Sequence, residues 1–591
     1  MALNFDVLAF FKAELTATDL RDRLNCVAGM DSVAAALGSQ KTAEHVLPLL
    51  SDYLSGKLPF EDEEVPLAIA KKLPSLSKVV NPSLLVPLLE LLATQDETVL
   101  REASVHSLSI LITQFGSGFV TTHVLPLLTR LFNDQWFSAK VSACGLIASV
   151  YPLVTPASQV ELRRLYFISF DDDTPMVRRA AGLKLPDVLK VIHQESILLE
   201  FLPAVKRMAS DETQESLRLS SLQCCAIMGE HCKASNGSGD VTKLLRSLVT
   251  VLSKDKSWRV RMVVARHFVS FCTSFGDEVA RSELLPILIS FLKDAEVDVR
   301  QAATQVMKTG LGSFTNQQVC TLIVPEVIFI AADVSPAVRS ACVEILPALI
   351  REIGEDDEPI DQSPRAAVIA LVQEAFRDET YSVRVTAVQV AFDVCRALGP
   401  SDASEVMIPL IAGIACDSQW RVKVATTEML PAFASLFGLE VFEHHLHAVY
   451  VACFSDSVYT VREEAIARIT DLTTELGLPW LTEKLWPRLA ELFSPNQSYL
   501  NRVTVLHAIR KVAPSFPSEA IERLLLPIII QGFSDPVPNV QLCACATLQA
   551  IQPLLSQQAM LAPAKIVEQL VYSSDKDVSF IAKDTVAKLA A

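Results

Sequence analysis

Residues 284–310, LLPILISFLKDAEVDVRQAATQVMKTG, contain two apolar stretches separated by a short polar turn. The first stretch is a run of aliphatic residues with Pro286 near its start, where a helix tolerates proline. In the second, apolar residues from Val299 to Met307 recur at i, i+3, i+4, i+7 and i+8, which places them on one face of a helix. Gly310 then fits a helix C-terminus. The stretch therefore predicts a helix over 284–292, a turn at 294–298 and a second helix that begins near 299.

The turn of this unit, DAEVDVR at 294–300, recurs along the chain as an aspartate followed six residues later by arginine or lysine. Further copies are DDTPMVR at 172–178, DKSWRVR at 255–261, DVSPAVR at 333–339, DETYSVR at 378–384, DSQWRVK at 417–423, DSVYTVR at 456–462 and DPVPNVQ at 535–541. The basic position runs through 178, 218, 261, 300, 339, 384, 423, 462, 502 and 541, mostly in steps of 39 or 40 residues with two of 43 and 45. Weaker copies at Arg23, Pro66, Arg101, Lys140 and Ser579 extend the series to fifteen units. A two-helix unit of this length is typical of a HEAT repeat.

These units predict an all-α fold, a right-handed α–α superhelix (a solenoid or horseshoe) of about fifteen HEAT repeats over 1–591. Sustained period-2 alternation is absent from the sequence, so strands are not expected. The six-residue interval between aspartate and arginine is wrong for a pair within one helix, which needs three or four. We therefore predict that each arginine reaches a carboxylate or carbonyl of the next repeat, forming a ladder. The aspartate is expected to cap the start of the second helix, a contribution of about 1 kcal/mol.

Composition restricts the partners. The chain has 52 basic and 68 acidic residues, a net charge of −16, which argues against nucleic acid and favours partners with basic surface. The N-terminal sequence does not resemble a signal peptide, and the uncharged run 142–160 contains two prolines and several polar residues, so no membrane span is expected. The thirteen cysteines include no C-x-x-C pair and are typical of reduced, packed thiols. These features predict a cytoplasmic protein, with the nucleus as a second location.

Catalytic and metal-binding motifs are not apparent in the sequence. The histidines at 444, 445 and 447 lack the spacing to cysteine or carboxylate of a known metal site, and an ordinary polar helix face is the simpler interpretation. No glycine-rich phosphate loop and no serine or cysteine nucleophile signature appears. We expect no enzymatic activity, no cofactor and no metal.

Several turns carry large side chains where a short solvated loop needs only small polar ones. They are Trp136-Phe137, Pro175-Met176, Trp258-Arg259, Tyr381, Trp420-Arg421, Val458-Tyr459 and Tyr499-Leu500. These residue types are enriched at the centres of protein interfaces. Each aromatic could instead fold back over its own helix pair, but a row of such turns favours protein binding.

The motifs of these turns resemble a known family. DQWF at 134–137 with SACGL at 142–146, DDTPMVRRA at 172–180, DKSWRVR at 255–261, QWRV at 419–422, Val458-Tyr459, and DPV at 535–537 with NV at 539–540 are similar, in this order, to the 65 kDa scaffolding A subunits of protein phosphatase 2A (PP2A). The resemblance covers essentially the whole chain and implies a non-catalytic scaffold that forms a heterodimer or heterotrimer rather than a homo-oligomer. Its N-terminal repeats, 1–310, would bind an exchangeable regulatory B-type subunit, and its C-terminal repeats, 390–591, would bind the catalytic subunit.

The resemblance also implies site residues, carried over by motif. Those implied for the catalytic subunit are Trp420, Arg421, Tyr459, Tyr499, Leu500, Arg502, Pro536 and Val537. Those implied for the regulatory subunit are Trp136, Phe137, Pro175, Arg178, Arg179, Ser257, Trp258 and Arg259.

Some features depart from the family pattern. Gln541 stands where the pattern has arginine, and the turn ending in NQSY at 496–499 is one residue longer than the pattern and has no aspartate. The acidic stretch 355–361 has no place in the pattern. The main alternative is a nuclear-transport receptor of the karyopherin type, also an acidic HEAT solenoid, but the order of the Trp-Arg turns favours the phosphatase scaffold. A solenoid enzyme has no supporting residues.

Overall fold

The computed structural model describes residues 6–58, 62–192, 200–234, 239–354 and 363–590, and over these ranges it contains helices and no strand. The predicted all-α repeat fold is confirmed. The chain divides into two compact units, Met1–Ile287 and Leu288–Ala591. The acidic stretch 355–361 lies outside the described residues.

In the first unit, helices alternate between the first and second positions of successive repeats. The α-helices are Val7–Leu15, Leu20–Ala28, Met30–Lys41, Leu47–Leu54, Glu64–Lys72, Val86–Ala93, Thr98–Phe119, Leu125–Phe132, Phe137–Val150, Pro156–Ser169, Pro175–Lys190, Leu202–Ala209, Glu215–Ala234, Gly239–Leu252, Trp258–Arg266, Phe268–Phe275 and Asp277–Val279. Helix Leu285–Leu292 spans the division between the units.

The second unit continues the same pattern. Its α-helices are Val297–Gly310, Asn316–Gln318, Val324–Ala331, Pro336–Ile353, Pro364–Ala375, Tyr381–Leu398, Pro400–Ile414, Trp420–Val441, His447–Cys453, Tyr459–Leu476, Trp486–Glu491, Tyr499–Val512, Ser518–Ala520, Leu526–Phe533, Pro538–Ile551, Gln557–Leu570 and Lys576–Ala590. Second helices of neighbouring repeats pack against each other, as Trp420–Val441 does against Tyr459–Leu476. The core is therefore continuous from one repeat to the next.

The first helices differ from the prediction around their prolines. In the repeat of Pro286 the helix begins at Asp277 rather than at 284, and a π-turn, Ala280–Leu284, precedes the proline. There the N–H of Leu285 bonds the carbonyl of Ala280, five residues back. Because proline has no N–H and its ring would meet the carbonyl four residues earlier, a local π-turn lets the helix continue through it. The same arrangement occurs at Thr42–Val46, Val120–Val124, Val319–Ile323, Trp480–Leu485 and Ile521–Leu525.

The predicted arginine–aspartate ladder is confirmed at several of its arginines, though not at every one. Arg300 donates from Nε and Nη2 to Asp333 of the next repeat, at 2.7 and 3.1 Å, and from Nη1 to the carbonyl of Asp294 in its own turn, at 2.8 Å. The same two-pronged pairing joins Arg218 to Asp255, Arg339 to Asp378, Arg384 to Asp417 and Arg502 to Asp535. Lysines make single-pronged contacts at Lys140–Asp172 and Lys423–Asp456.

The aspartates act in the turn rather than on the helix. Asp333 Oδ1 accepts the N–H of Ser335, at 2.8 Å, and Ser335 is the residue immediately before helix Pro336–Ile353. The prediction that the aspartate caps the helix is therefore wrong. Its hydrogen bond goes to the residue just before the helix and forms an Asx turn there. Each paired aspartate thus joins the basic side chain of the preceding repeat to the turn of its own repeat.

Three arginines at ladder positions make no contact with an aspartate of the next repeat. Arg101, Arg178 and Arg462 bond carbonyls of their own turns, at 2.5 to 3.2 Å, but none forms an ion pair with a residue in the described ranges. For Arg462 the sequence explains the gap, since the following turn, SPNQS at 494–498, has no acid. For Arg101 and Arg178 the structure gives no reason.

The ladder predicts acid sensitivity. Burial opposes ionisation of Asp333, Asp378 and Asp417, but hydrogen bonds from Arg300, Arg339 and Arg384 outweigh it and lower the pKa of each carboxyl. A carboxyl whose pKa is lower in the folded chain stabilises the fold above its unfolded pKa of about 3.9 and loses that contribution as the pH falls through the folded value.

We therefore expect the urea midpoint of unfolding to hold between about pH 7 and 5 and to fall steeply below about pH 4. A variant with one rung replaced by apolar residues, Arg384→Met with Asp417→Leu, should show a shallower fall. Equal slopes for the two proteins would contradict a role for the rung.

One helical stretch, Thr98–Phe132, is long and apolar enough to cross a membrane by length and composition. It includes the uncharged run 103–129, which is longer than the run 142–160. Gly116 has φ +67°, ψ −159° and breaks this stretch into two helices. In the most apolar 18-residue segment of the stretch, 28% is buried inside the protein. The absence of a membrane partner stays a prediction.

Candidate protein-binding surface

The ladder determines which turn residues face outward. In each paired repeat, one arginine binds the carbonyls at the start of the turn and the preceding arginine holds its aspartate. The residues after the aspartate are held mainly through their backbone, which leaves most of their side chains outside these contacts, and they lead into the second helix. The large side chains noted in the sequence occupy these positions.

In the first unit, the Trp136 side chain is 71% exposed, and the backbone N–H of Trp136 donates to Asp134 Oδ1 at 2.9 Å. Phe137 is half-buried at the start of its helix. Trp258 is also half-buried, and the guanidinium of Arg259 lies 4.7 Å from its ring centre. The Ser257 hydroxyl accepts the Arg259 N–H, at 3.2 Å, and so begins that helix.

The turn at 172–178 offers a shallow groove of about 460 Å³ lined in part by Pro175, Met176 and Arg179. Pro175 and Arg179 are exposed. Arg178 instead bonds the carbonyls of Asp172 and Asp173, at 2.6 and 2.9 Å. Arg178 therefore holds the turn, while its neighbours form the surface.

In the second unit, Arg421 forms a stack with two aromatic rings. Its guanidinium carbon lies 4.4 Å from the Trp420 ring centre and 5.8 Å from that of Tyr381 in the preceding repeat. Trp420 is half-buried and Arg421 is exposed. Cation–π contacts of this kind hold side chains in place at modest gain, about 0.5–1 kcal/mol when exposed.

The following turns present aromatic and aliphatic side chains. Tyr459, Tyr499 and Leu500 are 57%, 41% and 37% exposed. In the next turn Pro536 is exposed and Val537 half-buried. Arg502, by contrast, is only 5% exposed and its guanidinium is held by Asp535. Its position is in the ladder, beneath this surface.

Both alternatives for the aromatic turns occur. Trp136 and Tyr459 project into solvent, whereas Trp258 and Trp420 lie partly against their own repeats beneath an arginine. Three further valines at the turns or at the helix starts after them, Val99, Val297 and Val334, are 56%, 38% and 94% exposed and were not predicted as binding residues. Two of them could have been found by position, because Val99 and Val297 lie three residues after an aspartate, the same position that Trp258 and Trp420 occupy in their turns.

A cavity of about 530 Å³ was also missed. It lies between helices Tyr459–Leu476 and Tyr499–Val512, next to the exposed Tyr459 and Leu500, and its lining includes Arg462, His507 and Arg510. Burial, with the nearby Arg510 charge, lowers the pKa of His507. The wall of this cavity is therefore basic through its arginines.

The three histidines do not converge. His447 is half-buried, with its ring centre 6.0 Å from that of Trp480, and burial lowers its pKa. The His444 and His445 ring centres are 6.3 Å apart. Within the described ranges no group of three potential metal ligands occurs.

Comparison with known proteins adds sequence and fold relationships. The HEAT repeat family model matches residues 525–555. The chain is 34% identical over 221 residues to the probable serine/threonine-protein phosphatase PP2A regulatory subunit of Caenorhabditis elegans, with 36% of each chain covered. It is 37% identical over 186 residues to the Drosophila melanogaster PP2A 65 kDa regulatory subunit, covering 31% of each chain. It is 28% identical over 283 residues to the PP2A regulatory A subunit of Saccharomyces cerevisiae, covering 46% of this chain and 44% of that one. The match therefore spans between about a third and a half of the length of these relatives.

Solved structures share the fold at low identity. The Kap95p structure concerned with the switch loops of RanGDP superposes with a TM-score of 0.60 at 12% identity, covering 99% of this chain and 77% of that one. Kap121p bound to Pho4p superposes at 0.53 and 12% identity, covering 100% and 70%. At this identity the likeness shows the helical-repeat fold alone. In sequence, the chain is a HEAT-repeat protein related to the PP2A regulatory A subunits, as the turn motifs predict.

Proposed function

We propose that this chain is a non-catalytic scaffold of a PP2A-type serine/threonine phosphatase. Its turns in the second unit would hold the catalytic subunit, and its turns in the first unit would hold an exchangeable regulatory B-type subunit. The metals and the bond-breaking chemistry would belong to the catalytic partner.

The row of turns with large side chains carries this proposal. A repeat turn needs only small polar residues, yet these turns present Trp136, Tyr459, Tyr499 and Leu500 to solvent. Exposed aromatic side chains on a rigid backbone lose little conformational entropy on binding and are frequent interface hot spots. The sequence relationship to PP2A regulatory A subunits supports the choice of partner.

A scaffold of this kind acts through effective concentration. When one chain holds both a phosphatase and a subunit that binds substrate, the second encounter becomes intramolecular, and affinity rises without new contacts at the active site.

The test is a pull-down with the full chain as bait and purified PP2A catalytic subunit, followed by a serine/threonine phosphatase assay of the bound fraction. We expect activity to be retained on the bait and not on a control resin. A folded bait that recovers no phosphatase would contradict the proposal and favour the transport-receptor alternative.

A further inference from the structure

At Arg462 the ladder leaves a buried guanidinium without an aspartate of the next repeat. Arg462 is 6% exposed, and its Nη1 donates to the carbonyls of Asp456 and Ser457, at 2.6 and 3.2 Å. Its Nε is buried and has no hydrogen-bond acceptor among the described residues. A buried donor without an acceptor costs free energy, so a partner that supplies one gains correspondingly.

The unused edge is the one that binds carboxylate elsewhere in the ladder. Arg384 binds Asp417 through Nε and Nη2, at 2.7 and 3.0 Å, and Arg502 binds Asp535 in the same way. This fork matches the two oxygens of a carboxylate. At Arg462 the equivalent turn, 494–498, has one extra residue and no acid.

Arg462 also lines the 530 Å³ cavity beside Tyr459 and Leu500, so its side chain borders open space although Nε itself is buried. Arg510 lines the cavity too. Its Nε and Nη2 donate to neutral groups, Thr547 Oγ1 and Cys543 Sγ, both at 2.9 Å. Among the described lining residues, Arg462, Arg510 and Lys511 are cationic and Glu463 alone is acidic. The cavity is therefore locally basic in a chain whose net charge is −16.

We propose that this cavity receives an aspartate or glutamate side chain of a protein partner seated on the Tyr459 and Tyr499 turns. Its carboxylate binds Nε and Nη2 of Arg462 and completes the broken ladder from outside the chain. Leu500, 37% exposed at the cavity edge, gives apolar contact to the residue beside that acid. The inference rests on the proposed function, in which the partner is the phosphatase catalytic subunit.

The test measures the Kd of purified PP2A catalytic subunit for the full chain at two salt concentrations. Arg462→Gln should weaken binding about 30-fold or more, because the partner's acid is then left without its cation. Arg510→Gln should weaken it several-fold. The matched control is Arg468→Gln on the same helix: that guanidinium already pairs with Glu464 and Asp471, and we expect no change.

A gain-of-affinity variant separates docking from folding. Glu463→Gln removes the acidic group that repels an incoming carboxylate and should tighten binding about 2–5-fold, a result that a damaged fold cannot give. If the wild-type chain binds and the Arg462→Gln and Glu463→Gln variants bind with the same Kd, the inference is overturned and the proposed function stands. If the wild-type chain does not bind, the proposed function fails and the inference fails with it.

Discussion

Replacing Trp420 and Tyr459 together with alanine should weaken binding of the PP2A catalytic subunit by about 100-fold or more. Truncating an aromatic hot spot commonly costs about 2–4 kcal/mol, and each 1.4 kcal/mol is a factor of ten in Kd. Trp420 also carries the Arg421 guanidinium on its ring, at 4.4 Å, so its loss frees a second contact residue. Biolayer interferometry with purified catalytic subunit measures the effect.

The control for this variant lies in the first unit. Trp258→Ala removes a half-buried aromatic that likewise carries an arginine, Arg259, at 4.7 Å. We expect it to weaken binding of a regulatory B-type subunit while catalytic-subunit binding stays nearly intact. Equal loss of both partners in either variant, or of neither, would contradict the division of the turns between two partners.

The second large effect concerns stability. Asp535→Ala should destabilise the repeats around it by about 3–5 kcal/mol, because it leaves Arg502 buried without its counter-charge. The two side chains are 6% and 7% exposed, with Nε and Oδ2 2.6 Å apart, and Asp535 also accepts the N–H of Val537. Hydrogen exchange of helices Tyr499–Val512 and Pro538–Ile551 should report the loss locally, since a repeat array need not unfold as one unit.

Two comparisons make this prediction specific. Replacing both partners, Arg502→Met with Asp535→Leu, should cost less than the single change, because no charge is left buried. Asp584→Ala removes an exposed pair, with Lys588 and Asp584 55% and 39% exposed, and should leave the stability nearly unchanged. A single-variant loss as small as that of Asp584→Ala would show that the rung contributes little.

The regularity of the sequence made the ladder predictable. Six residues cannot join Asp294 to Arg300 along one helix, so the partner of Arg300 had to come from another repeat, and it is Asp333. The missing acid at 494–498 likewise marks the gap at Arg462. Interactions that repeat with the period of the fold can be read from spacing alone.

Other features depend on packing that spacing does not encode. The π-turn at Ala280–Leu284 arises because a longer helix continues through Pro286, and a proline near an apolar run equally suits a helix start. Whether an aromatic projects, as Trp136 does, or lies against its repeat, as Trp420 does, depends on neighbouring side chains. The cavity beside Arg462 is lined by residues from two repeats, so it could not be predicted from a motif within either one.

The aspartates that accept hydrogen bonds from two repeats have a consequence for how repeats are gained in evolution. A segment cut from just before one aspartate to just before the next begins with that acid and has its arginine six residues later, and the arginine side chain reaches the repeat that follows. Placed between two existing repeats, it meets an arginine on one side and an aspartate on the other, so both polar contacts form without a further substitution. Gene duplication in steps of about 39 residues could therefore lengthen or shorten the protein while every inserted joint remains chemically complementary.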